Sequence, residues 1–191
     1  MSLSVHSMTV AAFVPMLENL EKILGKAAAH AAERKLDEGV LEGWRLTPDM
    51  FALRRQVQLT SDFAKNSVAR LAGVEPPKMP DEEKTLAELQ ARVRATVTWL
   101  QSITPTQLEG AETRHIVVPL RTRTLEMDGL PFIQRWVLPN FYFHMTTTYA
   151  QSDYSNKFNW FGVRNEILTG VDLAQESFNG FAAVLPAGVV L

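Results

Sequence analysis

Apolar residues recur every three or four positions near the start of the chain. Phe13, Met16, Leu17, Leu20, Ile23, Leu24 and Ala27 fall this way between Val5 and Lys35. That period lines one stripe of a helix, and Glu18, Glu21 and Lys22 sit off the stripe. Pro15 interrupts the pattern, so the helix either starts near it or kinks there. Gly39 and Gly43 mark a loop around a short apolar stretch. A second helix is expected to open at Thr47-Pro48-Asp49, which supplies a capping hydroxyl, a proline at the first helical position and an acid near the positive end. It should run to Leu71 and stop at Gly73. Its stripe is Met50, Leu53, Val57, Ala64, Val68 and Leu71, broken by Thr60 and Ser61.

Pro76, Pro77 and Pro80 then form a stiff connector. Asp81 is read as the start of a third helix, in which Leu86, Leu89, Val93, Val97, Leu100 and Ile103 repeat at threes and fours. Thr104-Pro105 ends it and begins a short extra turn. The period then changes to two: Ile116 and Val118, then Leu125 and Met127, alternate with polar residues and predict a β-hairpin over 113–127. Asp128-Gly129 and Pro131 introduce a fourth helix carrying Ile133, Trp136, Val137, Phe141 and His144 as far as Ala150. Pro139 inside it leaves the carbonyl of Arg135 without its usual partner and predicts a kink. Beyond Gln151 the chain turns rich in Asn, Ser, Gly and aromatics, with a short helix expected around Asn165 to Ser177. The pattern therefore predicts an all-α fold, a bundle over residues 1–150, followed by a tail of different character over 151–191 that is partly ordered or packed on the bundle.

Composition narrows the function classes. The chain has 191 residues, enough for one domain with a real core. A net charge of -2 supplies no basic field for nucleic acid or anionic lipid. The absence of cysteine excludes disulfides, thiolate metal sites and a cysteine nucleophile. No basic stretch followed by an apolar run marks a secretory signal, and no segment approaches the roughly 18 to 20 apolar residues of a membrane span. A cytoplasmic location is the default expectation.

The candidate chemistry lies where polar residues invade a core stripe. Asn140 and His144 are four apart, so they share the helix face that also carries Ile133 and Trp136. A buried polar pair must be hydrogen-bonded or line a pocket, and satisfied core residues and ligand contacts are equally open readings. On the second helix, Gln56 and Thr60 flank the core stripe on one side and Gln58 on the other, and either side could face His144. The bland alternative is that these residues simply cap the core. Asp62 could add a carboxylate to a metal site with His144, but it shares a polar stripe with Arg55, Gln58 and Lys65 and reads as a solvated face with local ion pairs. His6, His30 and His115 have no ligand spacing, and neither a Gly-x-Ser-x-Gly turn nor a Gly-rich phosphate loop is present.

The segments Thr47 to Gln58, Ala64-Lys65, Arg70 to Gly73, Leu138 to His144 and Tyr149-Ala150 resemble an uncharacterised branch of the DinB/YfiT-like superfamily. The resemblance covers about residues 1–150. It implies a DinB-like four-helix bundle with one long crossover, often a homodimer, in which many members hold a divalent metal such as Zn or Ni through three histidines. Some of those relatives are thiol-dependent transferases or isomerases. This chain departs from the pattern. It has Asn140-x-x-x-His144 where two histidines are implied, and Phe63 stands where some relatives place a histidine in the second helix. Three functions follow as expectations: a binder of a small-molecule ligand using Gln56, Gln58, Thr60, Asn140 and His144; a metal-dependent enzyme of the DinB-like type; or a dimeric interaction protein. The first is preferred.

Overall fold

The first predicted helix is broken once, at Thr9. In the computed structural model, which describes residues 4–152, 156–160 and 163–167, Ser4 and Ser7 form a capping box that opens a single turn, α1 (Val5–Met8). Thr9 then leaves helical geometry at φ -121° and ψ -85°, and α2 (Val10–Arg34) begins. Pro15 lies inside α2 rather than at its start. It removes one hydrogen bond in the second turn, a local loss that the buried stripe of Phe13, Leu17, Leu20 and Leu24 outweighs.

A short helix, α3 (Glu38–Glu42), precedes the longer α4 (Leu53–Ala72). The expected helix start at Thr47 is displaced to Leu53. Instead of capping a helix, the Thr47 hydroxyl donates to the Asp49 carboxylate at 2.6 Å, and the Met50 N–H meets the Thr47 carbonyl at 3.0 Å. These residues close a turn of their own, because a hydroxyl and a carboxylate two apart compete for local partners. The stop is as expected: Gly73 takes a left-handed φ of 71°. α5 (Leu86–Gln101) likewise starts later than Asp81, at a capping box between Thr85 and Glu88. Asp81 is drawn instead to arginines, described below.

A 3-10 turn at Pro105–Leu108 leads to the hairpin of β1 (His115–Pro119) and β2 (Thr124–Asp128), paired from His115↔Asp128 to Pro119↔Thr124. Ile116 and Val118 point into the core, as their alternation predicted. The last helix runs through α6 (Gly129–Phe132), a wide π turn over Ile133–Val137 and α7 (Leu138–Ser152). The predicted distortion at Pro139 is thus a π turn immediately ahead of it. Widening the helix there gives the proline ring room against the preceding turn. Two further strands, β3 (Asn156–Trp160) and β4 (Val163–Ile167), pair antiparallel. Asn165 to Ile167 extend as strand, in register with Asn156 to Phe158, rather than opening the expected short helix; the remainder of that expected helix lies outside the described residues.

The four long helices pack in a ring. α2 packs most extensively on α5 and α4 on α7, and α4 also packs on α5 and α2 on α7. Phe13 of α2 meets Phe141 of α7 at a ring distance of 4.1 Å in the centre. Leu17, Leu20, Val57, Val68, Leu89, Val93, Ile133 and Met145 close around them. The protein is mostly helical, with a small antiparallel hairpin before the last helix. Among the described residues no helix is long and apolar enough to cross a membrane.

Candidate functional site

Residues 56, 60, 63 and 67 of α4 lie three and four apart, so they form one face, and α7 packs against it. This settles which flank of the second helix meets His144: it is the side of Gln56 and Thr60. Gln56 is 1% exposed and His144 8%. The Nδ1 of His144 lies 2.7 Å from Oε1 of Gln56. The contact is a hydrogen bond between imidazole and amide, with the donor set by the ring tautomer. The Phe63 ring stacks on the imidazole at 5.4 Å and 21°, and Phe143 meets it edge-on at 5.2 Å. Trp136 extends the aromatic wall, 6.2 Å from Phe63.

Two hydroxyls brace the pair from behind. Thr60 donates to the carbonyl of Gln56 at 2.9 Å, and Thr148 donates to the carbonyl of His144 at 2.8 Å. Each threonine thereby ties down the backbone one turn before itself. Burial, reinforced by the positive charge of Arg55, pushes the His144 imidazolium below its ordinary range, so the ring is held neutral. Among the described residues Nε2 has no hydrogen-bond partner.

Asn140 sits one turn before His144 but does not bond to it. Its side-chain N–H donates to the Trp136 carbonyl at 2.7 Å, beside the π turn. Gln58 and Asp62 lie elsewhere. Gln58 donates to Glu83 at 2.8 Å and accepts from Arg55 at 3.2 Å. Asp62 pairs with Arg92 at 2.8 Å and with Lys65 at 3.0 Å. The polar stripe of α4 is therefore not a solvated face, as the sequence suggested. It is the wall of a charge cluster centred on Arg92, whose side chain is 2% exposed.

Arg92 of α5 also reaches Glu83 at 2.7 Å, Asp81 at 3.0 Å and the Pro80 carbonyl at 3.1 Å, and Asp81 bonds Arg55. This clasp fastens the proline-rich connector to α4 and α5. Burial alone would lower the Arg92 pKa, but hydrogen bonding to Glu83 and the surrounding carboxylates raise it. Sequence reasoning missed Arg92. The available signal was its place one turn after Leu89 and one before Thr96, on the buried side of α5.

The donors present do not fit a metal held by three imidazoles. His144 is the one imidazole at this seam, the Gln56 oxygen is engaged with its ring, and Asp62 is neutralised in the other cluster. Among the described residues no three His, Asp or Glu side chains are placed to hold a metal ion. A shallow, open groove runs along α5 past Ala91, Ala95, Thr98 and Trp99, not at His144.

Four helices in a ring, a hairpin before the last and a π turn at its start define a DinB-type bundle. Residues 5–150 match the family model described as a domain of unknown function, DUF1993, and the chain belongs to that family. Among solved structures it is similar to a DinB family member protein from Shewanella denitrificans, at 40% identity and a TM-score of 0.71, over 77% of this chain and 83% of that one. No curated protein matches it.

Proposed function

We propose that this protein binds a small molecule at the seam between α4 and α7, with His144 as the polar contact. One observation carries the reading. The imidazole is buried and held neutral, yet Nε2 meets no partner among the described residues. An imidazole nitrogen with no protein partner is free to hydrogen-bond a ligand. Phe63, Phe143 and Trp136 support the same reading, since small-molecule sites combine apolar walls with few polar groups. Gln56 and Thr60 hold the ring in place, and Asn140 fixes the adjoining turn.

The test is a fragment titration followed by NMR on protein labelled in the histidine rings. Saturable shifts of the His144 ring, weakened in Phe63→Ala, which removes the ring stacked on it, are the expected result. A diverse fragment set that leaves the His144 ring unmoved would remove the proposal.

A further inference from the structure

The segment between α2 and α4 keeps an apolar face toward solvent. Leu36, Val40, Trp44, Leu46 and Phe51 are each between 40% and 54% exposed. Backbone bonds hold the segment in place: the Leu36 N–H meets the Ala31 carbonyl at 2.9 Å, and the Leu53 N–H meets the Trp44 carbonyl at 2.8 Å. α3 buries Leu41 and Glu42 and turns Val40 outward. At roughly 150–250 Å² for side chains of this size, the five present on the order of 450 Å². A stable dimer covers about 800 Å² on each partner, so the patch suits a short segment better than a second copy.

The chain itself supplies such a segment. Trp136 meets Phe63 and His144 meets Gln56, so α7 runs antiparallel to α4. Ser152 lies about 12 Å beyond His144 along the helix, whereas α4 starts only about 5 Å before Gln56. α7 therefore finishes at the end of the bundle where Leu53 bonds Trp44. Ile167 pairs with Asn156, so β3 and β4 return the chain to within a few residues of that exit. Residues 168–191 lie outside the described residues. Their sequence has no charge after Glu176 and includes Phe178, Phe181, Val184, Leu185, Val190 and Leu191. The stretch from Ile167 to Phe178 can span up to about 35 Å, against about 10 Å between neighbouring helices.

We propose that this apolar chain end, 178–191, docks on the face formed by Leu36, Val40, Trp44, Leu46 and Phe51 of the same molecule. Either surface alone would hold apolar area in water, and covering one with the other removes both. The contact is intramolecular, so a short tether makes it effective however dilute the protein is.

The test is paramagnetic NMR on the full chain, which has no cysteine of its own. A nitroxide attached through Val184→Cys should selectively broaden the amide signals of Val40, Trp44, Leu46 and Phe51. Signals of Val117 and Leu130, beside Leu71 at the far end of α4, should keep their intensity. Adding Val40→Asp and Phe51→Asp, both at exposed positions, should restore the lost intensity. Ala187→Cys gives a second attachment point should a label at 184 itself displace the chain end. When nitroxide-bearing chains without isotopes are mixed with isotope-enriched chains without nitroxide, the broadening should vanish. Broadening that persists in that mixture assigns the patch to a second copy and overturns the proposal. Broadening centred on another face, or none from either attachment point, overturns it as well.

Discussion

His144 and Gln56 are 88 residues apart in sequence and 2.7 Å apart in space. Each comes from a helix whose backbone is braced at that residue by a threonine one turn later. The contact therefore joins two stiffened turns across the seam of α4 and α7, and it fixes the tilt of the imidazole.

Removing one partner of that pair should cost more than removing both. Gln56→Leu leaves Nδ1 buried and unmet, and a loss of about 1–3 kcal/mol is expected in urea unfolding. The double variant Gln56→Leu, His144→Phe should recover much of that loss, since no polar atom is then stranded. A double variant as unstable as the sum of the singles would show that the two residues do not act as a pair.

Stability should fall between neutral and mildly acidic pH because of His144. Burial, then Arg55, hold its folded pKa below the ordinary 6.5. As the pH drops through 6.5 the unfolded chain binds a proton that the folded chain still refuses, so the unfolded state is favoured. The contribution is present above that value and is lost as the pH falls toward the folded pKa. His144→Phe should flatten this part of the pH–stability curve; an unchanged slope would refute the assignment.

Glu83 acts in a separate, more acidic window. Burial alone would raise its pKa, but hydrogen bonds from Arg92 and Gln58 outweigh it and hold the carboxyl below its ordinary 4.5. Its contribution is present above 4.5 and is lost as the pH falls through the depressed folded value. Glu83→Gln should blunt the acid limb of unfolding below about pH 4.5 while leaving the His144 window intact, as followed by circular dichroism.

Arg92→Met should be among the most damaging substitutions outside the apolar core. It strands Asp62, Glu83 and Asp81 around a vacated buried site. A loss on the order of 3 kcal/mol is expected, moderated because the carboxylates keep an edge in water. Arg92→Lys should rescue little, as one ammonium cannot span the positions that a guanidinium fork reaches. Hydrogen exchange should show the connector 74–85 loosening first. Full protection there in Arg92→Met would argue against the clasp.

Gly129 gives a purely steric prediction. A methyl group at this position would lie 1.8 Å from the Ala111 carbonyl oxygen. The neighbouring Leu130 N–H donates to the Glu112 carbonyl at 2.8 Å, so the two backbones cannot simply part. Gly129→Ala should therefore lower stability by about 3 kcal/mol, seen as an earlier urea midpoint. A neutral substitution would mean that the start of the last helix is free to shift.

The helical stripes, the hairpin and the Gly73 stop were legible in the chain because each depends on residues a few positions apart. A 3.6-residue or two-residue period is a local property, and so is the left-handed turn that glycine permits. The helix starts were less legible. Thr47 and Asp49 were used up by each other, and Asp81 was drawn to arginines, one of them 11 positions ahead on α5. His144 and Gln56 could be picked out as polar residues beside a core stripe. Their pairing, and the exclusion of Gln58 from it, depended on which flank of α4 turned toward α7. That rotation is set by how Phe13, Val57, Val68 and Phe141 fill the shared interior, a packing problem among four helices that no single segment contains.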